Sequence, residues 1–107
     1  MFGRTSPMDT LEARLEEAIE LLDRCGERYW VLRLNMALKG VRANRLGGVS
    51  QVLGFFGGEG TLSDLEVLIE ERETNPKAHA VANAKLKTLR NTLFRVADEI
   101  SNATARG

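Results

Sequence analysis

The sequence predicts an all-α protein: a small bundle of four to five helices with a glycine-rich central turn and a long C-terminal helix. Apolar residues recur at helical spacing through three long segments, helix-start and helix-stop residues separate these segments, and no two stretches pair convincingly as strands. At 107 residues the chain is long enough to bury one hydrophobic core. We therefore expect a single helical domain over residues 8–107, preceded by a flexible leader over residues 1–7.

Charge and composition disfavour two classes of protein, general polyanion binders and membrane proteins. Fifteen basic and fifteen acidic residues give no net charge, which disfavours a general binder of polyanions. No apolar run approaches the roughly 20 residues that cross a bilayer, and the N-terminus lacks the apolar stretch of a signal peptide. The single cysteine, Cys25, fits a reducing compartment. We expect a cytoplasmic protein with no membrane partner.

The first helix is predicted from Met8 to Cys25, and Gly26 follows as its stop. Its N-cap is expected to be one of three side chains: Ser6, Asp9 or Thr10. Acidic residues cover most of its polar surface. Its apolar stripe consists of Met8, Leu11, Leu15, Ala18, Ile19, Leu22 and Cys25.

The second helix is predicted over residues 27–45 and is basic. One face carries Trp30, Leu34, Ala37, Leu38 and Val41. A second apolar patch, Tyr29, Leu32 and Met36, lies about half a turn away. We therefore expect this helix to be central, with neighbours on two sides, or to pair with a second chain. Opposite charge favours an antiparallel hairpin with the acidic first helix, although each exposed ion pair contributes only about 0.2–1 kcal/mol.

The glycine-rich stretch over residues 47–68 holds six of the ten glycines. Gly47 and Gly48 fit the stop of the second helix, and a short helix is predicted to follow over residues 49–56. Three more glycines are expected to end that helix: Gly57, Gly58 and Gly60. A phosphate-binding loop is disfavoured because Glu59 would repel the anion and the lysine of the GxxxxGK[ST] motif is missing.

Beyond these glycines, Ser63 and Glu66 have the spacing of a capping box, which favours a helix over residues 65–69. A short strand stays open as the alternative, because Val67 and Ile69 favour extended structure.

The last helix is predicted to begin at Asn75 and Pro76, an N-cap residue followed by proline at the first helical position. Its length is expected to be about 25 residues, given the run of helical spacing. The apolar stripe that follows consists of Ala82, Leu86, Leu89, Leu93, Val96, Ala97 and Ile100.

No catalytic site can be assembled from the sequence. His79 has no nucleophile or acid that the pattern places beside it, and Cys25 lies on an apolar stripe. Neither HExxH nor CxxC occurs, and one acidic cluster is typical of a solvated helix face: Glu66, Glu70, Glu71 and Glu73. We expect no enzymatic activity, no metal and no cofactor.

Two stretches resemble a small bacterial family of unknown function: residues 53–65, LGFFGGEGTLSDL, and residues 83–100, NAKLKTLRNTLFRVADEI. Members share a hydrophobic pair, a GGxG[ST] turn followed by Asn or Ser with Asp-Leu, and a Leu-rich C-terminal helix. In this chain Ser63 replaces the usual asparagine, Leu62 the usual phenylalanine and Glu59 the usual methionine. The resemblance implies no enzyme. By analogy with other short helical proteins it implies an immunity-type protein that neutralises a neighbouring toxin.

The sequence thus predicts a non-enzymatic bacterial protein-interaction module. Its partner is expected to be another protein, such as a basic toxin, or a second copy of the chain. The candidate partner-binding residues are Phe55, Glu59, Asp64, Glu66 and Glu70. Because Phe55 and Phe56 are adjacent, one helical turn does not bury both on one side, so Phe55 is either exposed or packed under the last helix.

The alternative function is association with nucleic acid through the basic faces of the second and last helices. Arg42 and Arg45 are the candidate phosphate contacts. The balanced charge makes this the weaker of the two hypotheses.

Overall fold

The computed structural model describes residues 6–56 and 61–106, with only the backbone for residues 105 and 106. Within these ranges the chain forms five α-helices and a short 3₁₀ helix, and no strand. The helices are α1 (Pro7–Arg24), α2 (Arg28–Arg42), α3 (Leu46–Leu53), α4 (Glu71–Thr74) and α5 (Pro76–Arg106), and the 3₁₀ helix is Leu62–Asp64. The predicted all-α class, with a long C-terminal helix, is confirmed. None of the described helices is long and apolar enough to span a membrane.

Helix α1 begins and ends at residues that are typical of helix boundaries. Ser6 is the N-cap, since its Oγ accepts a hydrogen bond from the Asp9 N–H at 3.1 Å, and Pro7 occupies the first helical position. Of the leader predicted over residues 1–7, only these last two residues are described, and Pro7 belongs to the helix. Gly26 follows with φ of +77°, a left-handed conformation that costs glycine little.

Helices α1 and α2 form the predicted antiparallel hairpin. Arg42, at the end of α2, reaches back to the first half of α1, where its Nε lies 3.3 Å from Glu12 Oε2 and its Nη2 lies 2.5 Å from Glu16 Oε2. The attraction expected between the acidic and basic helices is therefore concentrated at this arginine.

The predicted helix stop at Gly47 and Gly48 is wrong. Helix α2 ends at Arg42, and Asn44 takes the left-handed conformation with φ of 57°, which asparagine tolerates better than most residues. Both glycines lie inside α3, and Gly48 is buried against α2. The stops predicted at Gly57, Gly58 and Gly60 lie outside the described residues.

The helix predicted over residues 65–69 is also wrong, and the alternative strand is not formed. Leu65 is extended, with φ of −69° and ψ of 129°, and Leu68 is left-handed, with φ of 55°. The Ser63–Glu66 capping box is not made, because the Glu66 carboxylate bonds to Arg72 and His79 instead. Buried Val67 anchors this extended segment to the core.

Helix α5 starts as predicted and runs further than expected. Asn75 Oδ1 accepts a hydrogen bond from the Ala78 N–H at 3.3 Å, and Pro76 follows at the first helical position. The helix is 31 residues long. It packs against α1, α3 and α4, so α5, and not α2, has the larger number of neighbours. Its predicted apolar stripe, from Ala82 to Ile100, is buried.

Candidate functional site

The most prominent exposed apolar surface lies on one side of α2. Tyr29, Leu32 and Met36 are 61%, 67% and 62% exposed, although the sequence predicts neighbours for them. Their spacing of three and four residues places them in one row along the helix. Arg33 stands in the same row, and we name these four residues the α2 face. Helix α2 does have two neighbours, α1 and α3, but the expectation that a neighbouring helix covers this second apolar patch is wrong for the part of the chain that the structure describes.

The other side of α2 holds this face in place. Leu34 and Ala37 are inaccessible to solvent, and Trp30, Leu38 and Val41 are buried with them. A helix with so firmly packed an inner face presents its outer side chains from a rigid backbone. Little backbone entropy is therefore lost when a partner binds to the α2 face.

Arg33 is held over three aromatic rings. Its guanidinium carbon lies 5.3 Å from the ring centre of Tyr29, 5.8 Å from Trp30 and 5.5 Å from Phe55, within the range of cation–π attraction. Arg33 forms no ion pair with any described residue, although several other arginines do: Arg14, Arg24, Arg42, Arg72 and Arg95. The α2 face thus contains a pre-positioned cation to which none of the described carboxylates is paired.

Phe55 contributes to this face from beneath. It is only 4% exposed, and its ring meets Trp30 edge-on with the ring centres 5.7 Å apart. The interpretation in which Phe55 is exposed to a partner is therefore wrong: the residue belongs to the core, and its part in a surface is to support Arg33. Phe56, its neighbour, is half-buried against Phe94.

A groove continues the α2 face where α2 meets α3. It encloses about 430 Å³ and begins at Met36. Its walls include Lys39, Gly40, Arg45, Gly48 and Gln51. Among the described residues no carboxylate lines it, and neither Lys39 nor Arg45 is ion-paired within the part of the chain that the structure describes.

Two glycines, Gly40 and Gly48, let the backbones of α2 and α3 approach closely at this groove. A Cβ added to Gly48 would lie 2.6 Å from the Val41 nitrogen and 2.8 Å from the Gly40 carbonyl carbon. Such distances do not occur for real Cβ atoms, so the contact between α2 and α3 requires glycine here. The sequence contains the two glycines, eight residues apart. Their spacing alone does not show that they face each other across two packed helices.

The structure describes three of the four acidic residues predicted to bind a partner: Asp64, Glu66 and Glu70. Asp64 and Glu70 are exposed, Glu59 lies outside the described residues, and Glu66 is half-buried and engaged. Glu66 Oε2 accepts a hydrogen bond from Arg72 at 2.8 Å and lies 2.6 Å from His79 Nε2. These hydrogen bonds, first from His79 and then from Arg72, hold the pKa of the Glu66 carboxyl below its usual value.

Of the two candidate phosphate contacts, only Arg45 is available. It is exposed at the groove, whereas Arg42 bonds to Glu12 and Glu16. Those carboxylates oppose the approach of a phosphate to Arg42.

The pairing of His79 with Glu66 was not predicted, and Asn83 explains its geometry. The Asn83 side chain accepts from the Val67 N–H and donates to the Val67 carbonyl, both at 2.9 Å. Arg90 donates to the Leu65 carbonyl at 3.0 Å. Together these bonds fasten the extended segment along α5 and bring Glu66 to His79.

A nucleophilic site at His79 needs a hydroxyl or thiol bonded to its ring. No hydroxyl or thiol bonds to His79 within the described ranges. Burial raises the pKa of the Cys25 thiol, which disfavours the reactive thiolate. Among the residues described, no three His, Cys, Asp or Glu side chains come together where they could hold a metal ion.

No protein-family model, no curated protein and no solved structure matched the chain when it was compared with them.

Proposed function

We propose that this chain is a non-enzymatic protein-interaction module and that it binds a protein partner through the α2 face. The observation that carries the proposal is the row of three large, exposed apolar side chains around a stacked arginine that forms no ion pair within the described residues. Tyrosine, methionine and arginine are enriched in the centres of protein interfaces, where aromatic and arginine side chains supply much of the binding energy.

The energetics support binding at this face. Full burial of a large apolar side chain is worth about 1.5–3 kcal/mol, so covering Tyr29, Leu32 and Met36 supplies several kcal/mol toward the entropy that association costs. Arg33 adds specificity to binding, because the rings around it already orient its guanidinium. An immunity-type protein, which neutralises a toxin by covering it, is one form of this function.

Co-purification of a partner with matched variants tests the proposal. Tagged wild-type chain, Leu32→Glu and Val81→Glu are expressed in the source organism and purified in parallel. Val81 is 60% exposed on α5, away from the α2 face, and so provides a control for an added surface charge. We expect one protein in stoichiometric amount with the wild type and with Val81→Glu, and its loss with Leu32→Glu. Equal recovery by all three variants, or no partner with any of them, contradicts the proposal.

Co-expression with the product of the adjacent gene tests the immunity-type form of this function. A complex that forms with that product and depends on Leu32 supports it. A partner encoded elsewhere supports protein binding but contradicts the immunity-type form.

A second candidate function, nucleic-acid binding, is favoured by Lys39 and Arg45 in the groove, where no described carboxylate lies. It is opposed by the pairing of Arg42 with two glutamates and by the absence of net charge. Elution from a DNA column at increasing salt decides it, since phosphate contacts make retention strongly salt-dependent. Retention that does not change with salt contradicts nucleic-acid binding.

A further inference from the structure

The α2 face and the groove form one surface that is both apolar and cationic. Helix α2 contains no acidic residue between Arg28 and Arg42. Three of its cations, Arg28, Arg33 and Lys39, form no ion pair with the described residues, and Arg45 extends this charge beyond the end of the helix. A partner that covers this surface must supply carboxylates, because an unpaired cation loses hydration when it is buried.

The shape of the surface favours a helix as the partner's binding segment. The exposed row runs from Tyr29 through Met36 and continues into the groove at Lys39 and Gly40, so it follows the axis of α2. A helix of α2's length spans about 22 Å, and an amphipathic helix lying beside it offers apolar residues at the same three- and four-residue spacing. The described part of the chain contains no strand edge to which an extended peptide could pair.

A second copy of this chain is a poor occupant of the surface. Two α2 faces packed together would oppose Arg33 and Lys39 with the same cations of the other copy, and like charges across an interface are unfavourable. Two acids of α1, Glu12 and Glu16, already bond to Arg42.

Resting on the proposed function, we infer that the partner presents an acidic amphipathic helix to α2. Its apolar side covers Tyr29, Leu32 and Met36. Its carboxylates meet Arg33 at the centre of the face and Lys39 and Arg45 at the groove.

Selection from a displayed library of helical peptides tests this inference without knowledge of the natural partner. Peptides of about 20 residues, long enough to cover α2, are randomised on one side and selected on the full-length chain. Binders that also bind Leu32→Glu are removed, and Val81→Glu serves as the positive control. We expect the remaining binders to carry a net negative charge and apolar residues at helical spacing.

Charge reversal then identifies the role of Arg33. We expect Arg33→Glu to weaken a selected acidic peptide by about tenfold or more, the loss typical of a central interface arginine. Replacing the peptide's glutamates by lysines should restore its binding to Arg33→Glu but not to the wild type. Thermal unfolding followed by circular dichroism confirms that each variant is folded.

Three outcomes overturn the inference, and they differ in what they say about the proposed function. If the Leu32-dependent peptides are neutral or basic, the acidic helix is wrong while protein binding at the α2 face stands. If the wild-type chain forms a dimer that Leu32→Glu abolishes, a second copy is the occupant of the face. If no selected peptide responds to Leu32→Glu, both the inference and the proposed function fail.

Discussion

At the scale of single residues, Glu66 connects the extended segment to two basic side chains, His79 on α5 and Arg72 on α4. Because the pKa of Glu66 is lower in the folded chain than in the unfolded chain, these bonds stabilise the fold above the ordinary glutamate pKa of about 4.3. The stabilisation is lost as the pH falls through the lowered folded value.

We therefore predict that Glu66→Gln lowers the melting temperature at pH 7 and that the difference from wild type shrinks toward about pH 3, below the ordinary glutamate pKa. Thermal unfolding followed by circular dichroism across this range measures both effects. Glu70→Gln is the control, because Glu70 is exposed and bonds to none of the described side chains. A difference between Glu66→Gln and wild type that stays constant with pH contradicts the assignment.

Asn83 is the second residue on which the extended segment depends. We predict that Asn83→Ala lowers the free energy of unfolding by about 1–3 kcal/mol, because the Val67 N–H and carbonyl lose their partners in a half-buried site. Urea unfolding measures the loss. Asn91→Ala, an exposed asparagine on the same helix, should leave the midpoint nearly unchanged. Equal midpoints for the two variants would show that Asn83 does not hold the segment.

The residues that sequence analysis identified bond to partners close in sequence, and the residues that it missed bond to distant ones. Ser6 and Asn75 cap helices through bonds to residues three positions away, so local pattern suffices to identify them. Asn83 bonds to a residue 16 positions away and His79 to one 13 positions away. Both bonds depend on the course of an irregular segment, which has no period to detect. Phe55 is a similar case, since its burial depends on where Trp30 lies.

At the scale of helices, the strongly periodic segments were predictable. In the glycine-rich segment a short helix is present as predicted, but it spans Leu46–Leu53 and not residues 49–56. The predicted stop at Gly47 and Gly48 assumes that glycine acts through its backbone freedom. Here Asn44 supplies the left-handed residue, and Gly48 acts through its missing side chain, which allows α3 to touch α2. A sequence does not distinguish these two uses of glycine without knowledge of the facing helix.

The two adjacent glycines give a sharp test of this account. We predict that Gly48→Ala lowers the free energy of unfolding by about 1–3 kcal/mol, since its methyl group would meet α2 backbone that is unable to move aside. A Cβ added to Gly47 has no atom within 4 Å. We therefore expect Gly47→Ala to raise the free energy of unfolding by about 0.5–1 kcal/mol, because alanine has the better helix propensity. Urea unfolding distinguishes the two signs, and a stabilising Gly48→Ala would contradict the close contact.

At the scale of the whole molecule, α5 and α1 hold the bundle together while α2 has one side packed and one side open. The sequence pattern predicts both apolar sides of α2 correctly, but it does not show that none of the described helices covers the second side. The second side stays open because the other helices pack elsewhere. Helix α5 packs against α1, α3 and α4, and no described helix is left to cover Tyr29, Leu32 and Met36.

Substitution of two leucines on opposite sides of α2 tests the difference between its packed side and its exposed side. We predict that Leu34→Ala, at an inaccessible position, lowers the free energy of unfolding by about 2–5 kcal/mol. Leu32→Ala, at a position that is 67% exposed, should change it by no more than about 0.5 kcal/mol. Urea unfolding of the isolated chain measures both changes. A large loss with Leu32→Ala would mean that the α2 face is covered within the molecule.

The most direct test of the central claim, that the α2 face binds a protein, is photo-crosslinking in living cells. A benzophenone amino acid replaces Leu32 in one variant and Val81 in another, and mass spectrometry identifies what each captures. We expect a single abundant protein adduct from position 32, attached through an acidic helical segment, and no such adduct from position 81. The same adducts from both positions, or an adduct with nucleic acid alone from position 32, would contradict it.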